Sequence, residues 1–351
     1  MTTNGDRIEV EILANPDNSV TGTWSWQQHM KRAIRSVNTL LSMIELESKV
    51  QDLTDEASDF PLFVPLPYLE RIEKGNSDDP LLRQVLPVAD ERESPEHFSI
   101  DPLGEQSATL RDGLIQKYQK RVLVIASRTC AINCRYCFRR HFPYETAALG
   151  DQRWSETIDS IAADDTINEV ILSGGDPLTV TDEKLADVFN RLEAVEHLQR
   201  IRLHTRLPIV IPQRVTDGLL KMIGKFRRSR TGRQVVMVVH SNHANEIDDA
   251  VCRSLSRLSD SATQLLNQSV LLAGVNDDTD TLVRLSERLL SANTLPYYLH
   301  QLDPVEGTAH FEVPVSTGLK LIEEIRARLP GYAVPRYVQE LAGEPGKTVL
   351  A

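Results

Sequence analysis

Thr129-Cys130-Ala131-Ile132-Asn133-Cys134-Arg135-Tyr136-Cys137-Phe138 decides how the rest of the chain is read. Its three thiols fall at C-x3-C-x2-C spacing, directly after the β-branched run 121–126. Bridges between thiols this close in sequence are strained, so the spacing points to a metal site in a reducing compartment rather than a disulfide scaffold. A [4Fe–4S] cube usually takes four thiolates. Three thiolates on one short loop can hold three irons and leave the fourth open to the amino and carboxylate groups of S-adenosylmethionine. An electron from the cluster then breaks the sulfonium carbon–sulfur bond and releases a 5'-deoxyadenosyl radical. The competing reading is a structural zinc site, which normally wants four ligands and would have to recruit Cys252 or a histidine. Cys252 lies far along the chain beside Val251 and Leu255 on a helical stretch, where a buried free thiol is the common case.

Downstream of the cysteines, short β-branched runs alternate with amphipathic stretches. Strands are expected at 121–126, 169–172, 202–205, 234–240, 264–271 and 296–301, with helices at 155–163, 182–195, 217–227, 246–258 and 279–291. Such alternation implies parallel βαβ units with the chemistry at the carboxyl ends of the strands. The fold class expected is therefore α/β: a radical S-adenosylmethionine partial (β/α)6 barrel with an N-terminal helical region and a C-terminal closing segment. The matching division is 1–110 mainly helical, 111–305 barrel, and 306–351 a last helix (315–329) followed by a tail. In the first part Trp26, Met30, Ile34, Val37, Leu41 and Ile44 have helical spacing across 24–53, and a proline-rich stretch follows at 61–67.

With 351 residues, 41% hydrophobic and 25% charged, the chain suits a soluble barrel-sized enzyme with appended segments. A net charge of -11 and a pI near 5.4 argue against broad attraction to nucleic-acid phosphates. Residues 1–15 carry Asp6, Glu9 and Glu11 and no apolar stretch of signal-peptide length. No run reaches the roughly 18 apolar residues of a membrane span. A cytoplasmic protein with neither nucleic-acid nor membrane partner is expected.

The second barrel strand ends in Ser173-Gly174-Gly175-Asp176-Pro177. Glycines let a backbone approach a ligand closely, and a neighbouring carboxylate can accept from an ammonium group. Elsewhere this triplet is an ordinary turn; beside the cysteine loop, Gly174, Gly175 and Asp176 are expected to bind the amino group of S-adenosylmethionine.

The cysteine loop with Phe138-Arg139-Arg140, the segment 173–178, Asn267-Gln268-Ser269-Val270-Leu271-Leu272 and Glu344-Pro345-Gly346-Lys347-Thr348 together resemble the lysine 2,3-aminomutase family, from about Glu70 to the C-terminus. Within it, Glu73-Lys74-Gly75-Asn76, the stretch 79–85 and Arg139-Arg140-His141-Phe142-Pro143-Tyr144 are similar to the short branch that makes β-lysine for elongation factor P. The resemblance implies two organic cofactors beside the cluster. Pyridoxal phosphate forms an imine with the substrate α-amine, the adenosyl radical takes hydrogen from C3, and the nitrogen migrates from C2 to C3. The protein orients and shields this chemistry.

It also implies roles for single residues. A lysine near a terminus is usually solvated, yet Lys347 matches the family position that forms the imine with pyridoxal phosphate. Lys117, Tyr118 and Arg121 match its phosphate-binding pattern, with Lys117 in place of the more usual Arg; a lysine keeps the charge and loses the fork. A solvated basic edge is the alternative. Arg139 matches the residue that holds the substrate carboxylate, against ordinary charge compensation beside a cluster. Asp303 and Glu340 match the two acids that grip the distal ammonium, Glu340 being one methylene longer than the usual Asp. The cysteine-rich C-terminal metal site of longer relatives is absent. The implied substrate is L-lysine and the implied partners are an electron-donor protein and a downstream β-lysine ligase acting on elongation factor P. A glutamate aminomutase is disfavoured by two acids in the pocket. Arginine remains the alternative substrate, and a non-catalytic metal-binding module the alternative class.

Overall fold

The computed structural model describes residues 24–47, 60–111, 113–144 and 151–351. The single N-terminal helical pattern resolves into two helices, α1 (Trp26–Lys31) and α2 (Val37–Met43). Ser25 caps the first with a capping box and Ser36 accepts from Thr39 N at the start of the second, so the chain restarts at each serine. Between them Ile34 pairs with Val64 as an isolated bridge. The end of the expected 24–53 pattern lies outside the described residues.

Among the described residues ten strands form one sheet whose spatial order is the chain order. They are β1 (Thr109–Arg111), β2 (Leu114–Tyr118), β3 (Arg121–Ser127), β4 (Glu169–Gly174), β5 (Arg200–Thr205), β6 (Gln234–His240), β7 (Gln264–Val270), β8 (Leu295–His300), β9 (Arg336–Gln339) and β10 (Thr348–Val349). Neighbours from β3 to β9 run parallel. The margins, β1–β2–β3 and β9–β10, are antiparallel.

Each parallel step needs a crossover, and six helices supply them: α3 (Asp151–Ala163), α4 (Asp182–Ala194), α5 (Asp217–Ser229), α6 (Asp249–Ser261), α7 (Thr279–Ser291) and α8 (Val315–Arg326). Because the order never doubles back, right-handed crossovers all pack on one face and the sheet curls with its other face inward. No pairing joins β10 to β1, so the barrel is open. The helices form where apolar residues share a face: α4 buries Leu185, Val188, Phe189 and Leu192. Helix α6 begins at Asp249 rather than 246, because Asp248 accepts from Val251 N as its cap.

The seventh parallel strand, β9, was not expected. Its four residues are too few to display an alternating pattern, and its pairing with β8 is fixed by tertiary context. One core runs from Trp26 and Leu40 through Val122 and Val170 to Leu203 and Leu255, so the N-terminal helices share the apolar layer that the sheet forms with its crossover helices. Among the described residues no helix is long and apolar enough to cross a membrane.

The inner face of this sheet is not the branched apolar filling of an ordinary closed barrel. On β5, Ile201, Leu203 and Thr205 are buried while Arg202 and His204 line the lumen, joined there by His240, Gln268, Tyr298 and His300 from later strands. Polar side chains in that position leave space and unspent hydrogen-bonding groups.

Candidate active site

The lumen holds a cavity of about 350 Å³, within the size range of small-molecule sites. Cys130, Cys134, Cys137 and Arg139 line it together with Lys117, Tyr118, Arg121, Asp303, Glu340 and Lys347.

The cysteine loop leaves β3 and is held from outside by the N-terminal region. Asn133 N donates to Phe63 O at 3.2 Å and Arg135 N to Gln84 O at 2.9 Å. Within it Cys137 N donates to Cys134 O at 3.1 Å. Burial, and then the neighbouring thiols, pushes Cys130 well up and Cys137 up to about 11. Cys130 and Cys137, which resist ionisation alone, fit a cationic group that would take them as thiolates beside Cys134. Among the described residues no three His, Cys, Asp or Glu side chains converge closely enough to share a single metal ion. Thiols that bind separate irons of a cube stand farther apart than that. Cys252 lies on α6 packed against the core and does not line the cavity.

Gly174 and Gly175 serve the loop as much as any ligand. Gly174 has φ +117, and a Cβ on it would stand 2.7 Å from Ser127 O. A Cβ on Gly175 would stand 2.5 Å from Thr129 O, so only glycine lets this turn lie against the cysteine loop. Asp176 differs from expectation. Its carboxylate accepts from Leu178 N (2.9 Å), Arg206 N (2.7 Å), Leu207 N (3.1 Å) and Thr205 Oγ1 (2.7 Å). Those bonds commit it to capping the turns after β4 and β5, which leaves the ammonium role assigned to it without a free acceptor. The donor supply after a strand end explains this: backbone N–H groups at helix starts seek the nearest carboxylate.

The phosphate-type cluster follows from a hairpin. Lys120, with φ +63, turns β2 into β3 and sets Tyr118 opposite Arg121, whose guanidinium lies 4.8 Å from the Tyr118 ring centre. Lys347 arrives by a second hairpin. Thr348 pairs with Gln339, so Lys347 and Glu340 face each other across β9–β10. Glu340 then forms ion pairs with both Lys347 and Lys117, joining the tail to the opposite margin of the open barrel. Burial opposes ionisation of Glu340, but Lys347 and Lys117 outweigh it and hold its carboxyl well below the usual range. Burial, then repulsion by Glu340, pushes Asp303 up to about 7. The Tyr118 hydroxyl is driven up by burial and by Glu340.

Arg139 Nε and Nη2 each lie 2.7 Å from the Glu105 carboxylate, and Nη1 lies 3.1 Å from Ser173 Oγ. Burial disfavours its charge, and Glu105 more than compensates. A carboxylate therefore already sits on the fork expected to hold a substrate carboxylate. The sequence reading missed Glu105, which stands in an aperiodic turn. It also missed Arg206, whose Nη1 lies 2.6 Å from Cys134 Sγ and whose Nη2 lies 2.8 Å from both Glu246 and Gln84. A usable signal existed there: Arg202, His204 and Arg206 stand at every second position along β5 and just past its end, on the face opposite Ile201 and Leu203.

A family model described as "4Fe-4S single cluster domain" matches residues 120–206. A protein named L-lysine 2,3-aminomutase from Haemophilus influenzae is 43% identical over 328 residues, covering 93% of this chain and 96% of that one. Its namesake from Escherichia coli is 41% identical over 327 residues, covering 93% and 94%. Among solved structures, a radical SAM methyltransferase from Sphaerobacter thermophilus aligns with a TM-score of 0.42 at 16% identity, covering 64% of this chain and 68% of that one.

Proposed function

The chain belongs to the L-lysine 2,3-aminomutase family, and from that premise we propose that it converts L-lysine to β-lysine for the post-translational modification of elongation factor P. The enzyme is an isomerase that uses a [4Fe–4S] cluster, S-adenosylmethionine and pyridoxal phosphate. When bound, these groups supply a reductively generated adenosyl radical and an imine through which the amino group moves between adjacent carbons.

Cys130, Cys134 and Cys137 hold the cluster, and the turn at Gly174 and Gly175 braces their loop. Lys347 supplies the amine that joins pyridoxal phosphate. Lys117, Tyr118 and Arg121 hold its phosphate on the β2–β3 hairpin. Arg139 orients the substrate carboxylate through Nη1, the terminus that Glu105 does not occupy, while Asp303 and Glu340 hold the distal ammonium. The observation that carries this reading is convergence: Lys347, the cavity-lining residue nearest the C-terminus, shares one cavity with Arg139 and the cysteine loop more than two hundred positions earlier.

The test is anaerobic incubation of the reconstituted enzyme with L-lysine, S-adenosylmethionine, reductant and pyridoxal phosphate, followed by chiral product analysis. β-Lysine is expected; its absence while both cofactors are bound refutes the activity. Adding a β-lysine ligase and elongation factor P then tests the downstream step; the reading places the enzyme in the cytoplasm with an electron-donor protein and that ligase as its partners. Arginine as competitor tests the second reading, a free-standing aminomutase of β-amino-acid metabolism.

A further inference from the structure

Two histidines of the lumen have no part in the roles above. His204 stands on β5 and His300 on β8, both lining the cavity that holds Lys347. The Nε2 atom of each is buried and without a hydrogen-bond partner. Buried polar atoms in folded proteins are almost always paired, because an unmet one keeps its full desolvation cost. Here both belong to cavity-lining side chains, so whatever the cavity binds can pair them.

The chemistry of these groups narrows what that is. Burial, then Arg202 and Lys347, holds His204 well below the ordinary imidazole range; burial, then Lys347, does the same for His300. Both are neutral at physiological pH, able to donate or accept but bringing no charge. Charged ligand groups are already served: a phosphate by Lys117 and Arg121, a carboxylate by Arg139, an ammonium by Asp303 and Glu340. A pyridoxal ring joined to Lys347 and anchored at the β2–β3 hairpin has two further polar atoms, its ring nitrogen and its phenolic oxygen. The other lining carboxylates are spent, Glu105 on Arg139 and Asp176 on the turns after β4 and β5.

We propose that His204 and His300 receive the polar rim of the pyridoxal ring, pairing its nitrogen and phenolic oxygen through their Nε2 atoms. The inference rests on Lys347 being the cofactor lysine. It has a chemical consequence. A carboxylate partner would keep a proton on the ring nitrogen and make the ring a stronger electron sink, favouring loss of the substrate's α-proton. A neutral imidazole does not, which protects the amino acid from that side reaction.

The experiment titrates the reconstituted full-length enzyme with pyridoxal phosphate, traps the cofactor with borohydride and measures pyridoxyl-Lys347 by peptide mass spectrometry. His204→Leu and His300→Leu should each raise the half-saturating concentration about fivefold to tenfold, the worth of one hydrogen bond, with acid-labile sulfide unchanged. His204→Gln and His300→Gln, which keep a polar terminus, should recover most of that loss. A purely structural histidine would not be rescued in this way. On the unaltered protein, an analogue with carbon in place of the ring nitrogen should also bind about fivefold more weakly, a measurement that needs no variant to fold. Labelling of Lys347 with unchanged half-saturation in both leucine variants, or full affinity for the carbon analogue, overturns the histidine assignment and leaves the function standing. Failure of the unaltered protein to label Lys347 overturns both.

Discussion

Glu340→Gln should strengthen one ligand and weaken another. The side chain is 12% exposed between Lys117 (13%) and Lys347 (22%), and the amide keeps its shape while removing its charge. This carboxylate pairs with both lysines that pyridoxal phosphate needs, so cofactor binding has to break both pairs. Each pair, discounted for residual solvent screening, contributes about 0.5–1 kcal/mol. Losing both should tighten pyridoxal phosphate by roughly fivefold to thirtyfold. Once the cofactor occupies the lysines, Glu340 is free for the substrate's distal ammonium. A hydrogen bond to a charged group contributes about 1.5–3 kcal/mol, so kcat/KM for lysine should fall roughly tenfold to a hundredfold. Fluorescence titration of pyridoxal phosphate and steady-state kinetics at saturating cofactor read the two effects separately. Glu340→Asp, with the acid one methylene shorter, should keep substantial lysine activity. Parallel weakening of both ligands would mean that Glu340 only shapes the pocket, and no change in either would remove it from the site.

Substituting Cys130, Cys134 and Cys137 together by Ala should abolish iron and sulfide incorporation, whereas Cys252→Ala should reconstitute normally; an unreconstitutable Cys252→Ala protein contradicts the three-thiolate site. Lys347→Ala should retain the cluster yet show no borohydride-trapped pyridoxyl group, and a label on any other lysine would reassign the cofactor residue. Asp303, with its carboxyl pushed up to about 7, is neutral below that pH and charged above it. Lysine kcat/KM should therefore rise as pH increases through about 7, and Asp303→Asn should flatten that limb in a pH–rate profile while lowering the plateau roughly tenfold. A limb that persists unchanged in the variant belongs to another group.

Much of the barrel was legible in the chain because its signals are local. Spacing of Leu185, Val188, Phe189 and Leu192 reports a helix without reference to anything distant, and the strands β3 to β8 lie within a few residues of the β-branched runs that announced them. The cysteine loop is likewise local chemistry: three thiols and five spacer positions in one short loop point to a metal site by themselves. Lys347, by contrast, was identified through resemblance, since nothing about a lysine in a terminal segment marks it as buried.

What only the tertiary structure decided is which distant groups meet. Glu105 reaches Arg139, Arg206 reaches Cys134, and Asp176 is consumed by backbone donors after β5; only Arg206 stands in an alternating run, and that run does not name its partner. The pairing of Lys347 with Glu340 depends on the β9–β10 register, and that of Glu340 with Lys117 on the curl that brings the two margins of an open sheet together. Register and curl are properties of the whole sheet, set by twist and by packing on every helix at once. Residue types and spacings therefore determined the fold and the cluster chemistry, resemblance alone pointed to pyridoxal phosphate, and the partner of each charge in the lumen was settled by closure of the chain over long distances.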